Sequence, residues 1–426
     1  MRIRIWRALC VAGLIFGYTA MAWAQAVGPK SWPVKSSPLP WFPQGGEGSR
    51  PSRTGSVSSM KLLAPNVGWA LSTPRLLWTD SGGASWEDIT PPVPKNGRIG
   101  TVFFLDTRSG WALLAHGEPD IPGGLQFDLA STDNAGATWS MRHVTLPEQK
   151  YPGVFGITAL AFADSSHGWM ALRAGLSSAF QGTGTLLVTS DGGANWKLAT
   201  ATGWDKYDIV GPMLMVTPQF GWLVGAGASA PLLVTRDGGR TWHGVELESP
   251  VKTDQMREYD KRSATFWNSF EQAIPPAAAK LAAKPPQHES YAAYDLPDFS
   301  DPKHGHIRVA YPGVVVLFAT DDGGISWKPQ EVVQGRPPGP SAVVDSKWIT
   351  VRVAKDGMPR LANVAPATTT ETGAPSSPED RPADEIDFVT ASQGWVVTLY
   401  GKLLSTNDGG ATWTDITPGW PTAATP

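Results

Sequence analysis

The stretch Thr189-Ser190-Asp191-Gly192-Gly193-Ala194-Asn195-Trp196 decides the fold, because the chain repeats it with small changes five more times. All six copies have Thr first, Gly fifth and Trp eighth, and we call this eight-residue phrase the turn motif. The other copies are Thr79–Trp86, Thr132–Trp139, Thr235–Trp242, Thr320–Trp327 and Thr406–Trp413. Successive motifs lie 53, 57, 46, 85 and 86 residues apart, which indicates a chain of repeated structural units.

The third motif position carries the polar side chain that a tight turn needs. Two copies have Ser81 and Asn134 there, and the other four have an aspartate. These aspartates are Asp191, Asp237, Asp322 and Asp408. Such side chains accept hydrogen bonds from the backbone of their own turn, while glycine supplies positive φ. The alternative is a catalytic or Ca²⁺-binding role, which is less favoured because one turn supplies too few oxygen ligands.

The last motif position is always tryptophan, and we expect each ring to be buried beneath its turn. The six residues are Trp86, Trp139, Trp196, Trp242, Trp327 and Trp413. The chain has 20 Trp in all: these six, five that belong to a second repeated phrase, and nine others. The high tryptophan content therefore indicates architecture more than an aromatic binding surface.

The second phrase is Gly-Trp followed by an apolar run, and Gly305-His306 takes its place in the fifth unit. The pairs begin at Gly68, Gly110, Gly168, Gly221 and Gly394. With the stretch before the pair and the two strands around the motif, each unit is predicted to have four strands. Tandem four-stranded units predict an all-β β-propeller, since a closed ring leaves few exposed edges. Six blades carry the motif, and a predicted hairpin at 342–353 and 358–364 leaves open a degenerate seventh blade.

The turn motif resembles the Asp-box, also called the bacterial neuraminidase repeat. In combination with the Gly-Trp phrase and the Leu-Leu-x-Thr strand, it most resembles the photosystem II stability and assembly factor family, over about residues 56–418. The resemblance implies an exported propeller, usually of seven blades, that assists assembly or stability of a membrane-associated complex. The Arg-rich patch associated with that family is not evident as a cluster in this sequence.

The N-terminal residues predict that the protein is exported. Residues 1–24 have three Arg, an apolar run and the exit Ala22-Trp23-Ala24, which is typical of a secretory signal peptide. Residues 25–55 form a Pro/Gly/Ser-rich leader, residues 56–418 the propeller and residues 419–426 a tail. We expect an exported protein, periplasmic or secreted, with no membrane span after cleavage. Cleavage would also remove Cys10, the one cysteine, so no internal disulfide is expected.

Two insertions explain the longer motif spacings. Residues 251–290 include apolar residues at helical spacing across 253–272, which predicts a helix. That helix either packs on the rim of the propeller or serves as a partner-binding element. Residues 330–384 contain the predicted hairpin and a Thr/Pro/Ser/Glu-rich linker.

The order of strands predicts which face binds. The motif joins strands three and four, and the turn before Gly-Trp joins strands one and two, so both open on one face. The remaining loops open on the opposite face and vary in length, which is where selective binding is usually built. The candidate binding residues on this variable face are His116, Glu118, Asp120, Arg173, Trp204, Asp205, Lys206, Tyr207 and Arg336.

The sequence favours a non-catalytic scaffold that binds a protein or glycan outside the cytoplasm. The alternative is a glycoside hydrolase of sialidase-like or related type, but the Arg and Tyr/Glu patterns of sialidases are missing, and no catalytic residue is assigned. No metal site is predicted, because His304-Gly-His306 has no visible third ligand. No cofactor is expected without a Gly-rich phosphate loop, and a net charge of -3 does not suggest nucleic acid. The oligomeric state is left open.

Overall fold

A computed structural model describes most of the propeller region. The described residues are 56–117, 125–146, 154–174, 183–199, 210–225, 232–273, 292–301, 303–335, 340–344, 347–354, 357–363, 381–398 and 400–419. All of them belong to one compact unit, Pro33–Pro426. The predicted signal peptide, the leader and most of the tail lie outside the described residues.

The first four blades are four-stranded antiparallel sheets whose strands follow one another in chain order. Blade 1 consists of β1 Ser59–Ala64, β2 Val67–Ser72, β3 Arg75–Thr79 and β4 Glu87–Asp88. Blade 2 consists of β5 Arg98–Phe104, β6 Gly110–Gly117, β7 Leu125–Thr132 and β8 Ser140–His143. Blade 3 consists of β9 Val154–Phe162, β10 Gly168–Ala174, β11 Thr183–Thr189 and β12 Lys197–Leu198. Blade 4 consists of β13 Val210–Met215, β14 Gly221–Gly225, β15 Leu232–Thr235 and β16 His243–Val245.

Three further blades complete a seven-bladed β-propeller. Blade 5 divides its first strand into two short pieces that pair with the same neighbour: β17 Ala293–Tyr294, β18 Asp298–Phe299, β19 Gly305–Tyr311, β20 Val314–Thr320 and β21 Lys328–Gln334. Blade 6 consists of β22 Ser341–Val344, β23 Lys347–Val353 and β24 Pro359–Asn363. Blade 7 consists of β25 Arg381–Phe388, β26 Gly394–Thr398, β27 Leu403–Thr406 and β28 Thr414–Asp415.

The hairpin predicted at 342–353 and 358–364 corresponds to the strands of blade 6. Blade 6 is the blade that lacks the turn motif. It stands sixth in the chain, and three strands of it are described. The first residues of β25 pair with the end of β23, so blades 6 and 7 share one continuous sheet. The all-β propeller prediction is confirmed, and the open question of six or seven blades is answered as seven.

In blades 2, 3 and 4, the tryptophan of the Gly-Trp phrase contacts the turn motif of the next blade. The indole N–H of Trp111 in blade 2 donates to Gly192 O in the blade 3 motif, at 3.3 Å. The indole N–H of Trp169 in blade 3 donates to Gly238 O in the blade 4 motif, at 2.9 Å. The ring of Trp222 likewise packs on the blade 5 motif at Gly324. These buried rings therefore lie between blades. Among the motif tryptophans, Trp242 and Trp413 are buried as expected, whereas the other four are only partly buried.

This arrangement explains the exception at His306. His306 holds the Trp position of blade 5, and the next blade has no turn motif on which a tryptophan could pack. In blade 6, Leu361 of β24 lies against the blade 7 motif at Gly410, as Leu129 of β7 does against the blade 3 motif at Gly193. The contact from the third strand is therefore kept in the blade that lacks the motif.

Motif tryptophans make contacts in the opposite direction. The indole N–H of Trp139 in blade 2 donates to Ile89 O of blade 1 at 2.7 Å. The indole N–H of Trp86 in blade 1 donates to Ile416 O of blade 7 at 2.9 Å. The second of these bonds spans 330 residues of sequence and joins the two ends of the propeller.

One helix, α1 Asp254–Ala273, lies in the 251–290 insertion, as the helical spacing predicts. Its N-terminus is capped by Thr253, whose Oγ1 accepts from Met256 N and donates to Pro312 O in the β19–β20 turn. Among the side chains described between 254 and 265, only Met256 is buried. The helix is therefore anchored through its first turn, and these side chains mostly face solvent.

Candidate functional site

The turn motifs satisfy their own polar groups. In blade 3, Asp191 Oδ1 accepts from Thr189 Oγ1 at 2.7 Å and from Asn195 N at 2.9 Å, while Oδ2 accepts from Asn195 Nδ2 at 2.8 Å. Thr189 Oγ1 accepts in turn from Gly193 N at 3.0 Å. The hydrogen bond from the Asn195 side chain contributes most to lowering the pKa of Asp191 to about 2. The other three aspartate-bearing motifs repeat the pattern, so these carboxylates serve the turn.

The two faces of the propeller differ in how regular their loops are. Seven residues separate strands three and four in all six blades that carry the motif, and five residues separate strands one and two in five of them. On the other face, the loops between strands two and three run from two residues at 73–74 to eight at 175–182. The connections between blades on that face run from six residues at 335–340 to 47 at 246–292. One face is uniform and the other is variable, as the sequence predicts.

The described structure places two of the predicted binding residues. His116 lies near the end of β6 on the variable face, with its Nε2 3.2 Å from Asp128 Oδ2. Arg173 lies near the end of β10, where its backbone pairs with Gly156 and Gly184. The other seven lie outside the described residues: Glu118, Asp120, Trp204, Asp205, Lys206, Tyr207 and Arg336. Whether they converge on one site stays a prediction.

A charged cluster lies where blade 7 meets blade 1. Lys61 Nζ in β1 is 2.7 Å from Asp387 Oδ1 in β25, and these side chains are 20% and 14% exposed. Asp387 Oδ2 accepts from Leu62 N at 2.9 Å, and Glu385 Oε2 accepts from Met60 N at 3.3 Å. Two carboxylates of one strand thus satisfy backbone N–H groups on the edge of the next blade's first strand.

The electrostatics of this cluster depart from those of surface charges. Burial, and then the negative charge of Asp387, raise the pKa of Glu385 to about 8. Burial lowers the pKa of Lys61, but the charge of Asp387 and its hydrogen bond outweigh burial, so the net pKa is raised. A carboxyl of raised pKa beside a second carboxyl group is a pattern also found in acid–base catalysis. Here both carboxyl groups accept hydrogen bonds from the backbone of β1 in blade 1, which favours a structural role in closing the ring.

Sequence reasoning missed this cluster and a second group in blade 2. Glu385 and Asp387 lie in the stretch before the pair at Gly394, for which the sequence predicts only a strand, and Lys61 belongs to no motif. Asp128 and His143, which lie beside His116, were also missed. In blade 2, cross-strand register brings the side chains together, and register is not read from residue spacing. At the junction of blades 7 and 1, the side chains come from two separate sheets that meet only when the ring closes. Two charged residues separated by one position in a mostly apolar strand, as Glu385 and Asp387 are, could have indicated the cluster.

Two tyrosines that a sialidase-like mechanism could have used are occupied by structural bonds. Leu247 N donates to the hydroxyl of Tyr294 at 3.0 Å, and the hydroxyl of Tyr311 donates to Leu247 O. Both hydroxyls therefore fasten the start of the long 246–292 connection to blade 5. Within the described ranges, no helix is long and apolar enough to span a membrane.

Comparisons with known proteins return propellers of several functions. No family model and no curated protein matches the chain. A structure of YCF48 bound to a D1 peptide is 15% identical with a TM-score of 0.46, and the match covers 87% of this chain and 99% of that one. YCF48 from Cyanidioschyzon merolae is 16% identical with a TM-score of 0.33, covering 84% and 97%. A puromycin-hydrolyzing peptidase of Mycobacterium tuberculosis is 11% identical with a TM-score of 0.49, covering 92% and 58%. Since one propeller fold carries many unrelated activities, such distant likenesses do not assign a function.

Proposed function

We propose that this chain is an exported, non-catalytic propeller that binds a protein partner through its variable face. The observation that carries the proposal is the contrast between loop lengths on the two faces. The uniform face consists of turns whose carboxylates are already hydrogen-bonded within the turn. Diversity is confined to the opposite face, and a rigid scaffold that presents varied loops is the usual design of a binding site.

A protein fits the composition of the variable loops better than a small ligand. The connection between blades 3 and 4 contains Gly203-Trp204-Asp205-Lys206-Tyr207. Tryptophan and tyrosine are enriched at protein interfaces and dominate their binding energy. By the resemblance of its repeated phrases to the photosystem II assembly factor family, the finer proposal is a role in assembling a membrane-associated complex.

Site-specific crosslinking tests the choice of face. A photoreactive amino acid placed at Trp204 or Tyr207 is expected to capture one discrete protein in the native compartment. The matched control is Ile325, which is 70% exposed in the blade 5 turn motif and is expected to capture no discrete partner. Equal capture from both faces, or capture from Ile325 only, contradicts the proposal.

The alternative, a glycoside hydrolase, has one specific observation in its favour, the Glu385–Asp387 pair with its raised carboxyl pKa. The purified protein is therefore incubated with sialosides and β-glucans, with Glu385→Gln as the comparison. We expect no turnover from either protein. Turnover that Glu385→Gln abolishes would replace the scaffold proposal with a hydrolase whose acid is Glu385.

A further inference from the structure

Three metal-ligating side chains meet in blade 2, and the turn motif plays no part in their arrangement. Among the described residues, His116, Asp128 and His143 bring one ligand atom each to within 4.8 Å of one another. His116 Nε2 lies 3.2 Å from Asp128 Oδ2, and His143 Nδ1 lies 3.0 Å from Asp128 Oδ1. The carboxylate stands between the two imidazoles.

Strand register accounts for this arrangement. His116 in β6 pairs with Gln126 in β7, so Asp128, two residues further along β7, lies on the same face of the blade. Asp128 pairs directly with His143 in β8. Three adjacent strands therefore each contribute one ligand to one face of the sheet, and the backbone ladder fixes their spacing.

The distances suit a single cation. Zinc binds imidazole nitrogen and carboxylate oxygen at about 2.0–2.2 Å, so two ligands at a tetrahedral angle lie about 3.3–3.6 Å apart. The observed separations of 3.2 Å from His116 and 3.0 Å from His143, the second a hydrogen bond, are shorter by a few tenths of an ångström, so a small outward movement of the side chains would admit the ion. Two imidazoles and a carboxylate are also a donor set that divalent first-row transition metals prefer.

A second observation points to a ligand. His116 Nε2 is buried and makes no hydrogen bond within the described part of the chain, although it points toward a carboxylate oxygen. A buried nitrogen that makes no hydrogen bond is costly, and a cation between the nitrogen and the carboxylate would remove that cost. His116 and Asp128 are each 19% exposed, whereas His143 is 57% exposed. The group is thus partly enclosed and open to solvent on the His143 side.

We propose that His116, Asp128 and His143 form a binding site for a divalent transition-metal ion, with zinc as the preferred ion. Three protein ligands leave the fourth tetrahedral position for water or for a donor from a bound partner. All three residues lie toward the variable-face end of their strands. The site would link β6, β7 and β8 and place a positive charge on that face.

Cobalt titration tests the site in the full chain, prepared without a polyhistidine tag and stripped of metal with a chelator. Co²⁺ is expected to bind at one equivalent with a visible d–d absorption band, and Zn²⁺ is expected to displace it. Asp128→Asn and His143→Gln should each weaken binding by at least about tenfold. His143 ends β8 and is exposed, so His143→Gln is expected to fold normally, which circular dichroism checks.

The chain offers a matched control in His304. Its Nδ1 lies 2.7 Å from Asp301 Oδ2, which gives one histidine and one carboxylate without the second histidine. His304→Gln should therefore leave cobalt binding unchanged. The proposal is overturned if the wild-type chain shows no cobalt band at a large molar excess, or if His143→Gln and His304→Gln bind equally well.

Discussion

At the scale of the residue, the threonine that begins each motif stabilises the turn through two hydrogen bonds of its side chain, as Thr235 illustrates. Thr235 is fully buried, donates from Oγ1 to Asp237 Oδ1 at 3.0 Å, and accepts from Gly239 N at 2.8 Å. The same hydroxyl thus orients the carboxylate and satisfies a buried backbone group. Positive φ at Gly238 and Gly239, 75° and 88°, lets the backbone turn around it.

Thr235→Val preserves shape and removes the hydroxyl. We expect a loss of about 1–3 kcal/mol in the free energy of unfolding, since the N–H of Gly239 is left buried without an acceptor. Thr235→Ser keeps the hydroxyl and should cost clearly less. Urea unfolding of both variants measures the difference, and equal losses would mean that the methyl group and not the hydrogen bond matters.

At the scale of the element, the second strand of blade 4 packs on the turn of the next blade. Trp222 is fully buried, stacks edge-on with Trp327 at a centroid distance of 5.9 Å, and lies against Gly324. This contact is between blades 4 and 5. The absence of a tryptophan at His306 fits the absence of a motif in blade 6.

Trp222→Ala is expected to destabilise the protein by about 3–5 kcal/mol, because it empties a packed position between two blades. Leu198→Ala, at a position 50% exposed in β12, is the control and should change stability by less than about 0.5 kcal/mol. Thermal and urea unfolding report both. A loss at Trp222 no larger than at Leu198 would show that the blades do not depend on this contact.

How much the sequence predicts also depends on scale. The turn motif and the Gly-Trp phrase predict strands, blade order and the two faces, because each is a local pattern repeated along the chain. The hairpin at 342–364 was recognisable, but its place as blade 6 required the ring. The grouping of His116 with Asp128 depends on pairing between strands, which local patterns do not specify. The grouping of Glu385 with Lys61 depends on closure of the ring, which brings two separate sheets together.

At the scale of the whole molecule, the two ends of the propeller meet through polar contacts. Gln393 in the β25–β26 turn accepts from Asn66 N at 3.1 Å, and Val57 N donates to Gly401 O at 2.9 Å. The Lys61–Asp387 pair lies at the same junction. In the described residues, the ring is therefore closed by side-chain and backbone contacts between blades 1 and 7 and not by a strand exchanged between them.

Stability should depend on pH through Glu385. Its folded-state pKa of about 8 exceeds the ordinary value of 4.5, so the unfolded carboxyl ionises first as pH rises. The contribution is complete below about pH 4.5 and is lost progressively up to about pH 8. Glu385→Gln should flatten this decline, while Glu87→Gln, exposed in β4, should not. The urea concentration at the midpoint of unfolding, measured from about pH 5 to about pH 9, tests this prediction. If the midpoint changes with pH equally in the wild type, Glu385→Gln and Glu87→Gln, the assignment to Glu385 is contradicted.

The most direct test of the binding-scaffold account is the affinity of the crosslinked partner for variants of each face. Trp204→Ala, on the variable face, is expected to weaken binding by at least about tenfold, as loss of a central aromatic anchor does. Ile325→Ala, on the uniform face, is expected to leave the dissociation constant within about twofold. The opposite result, with binding lost at Ile325 and kept at Trp204, would contradict the account.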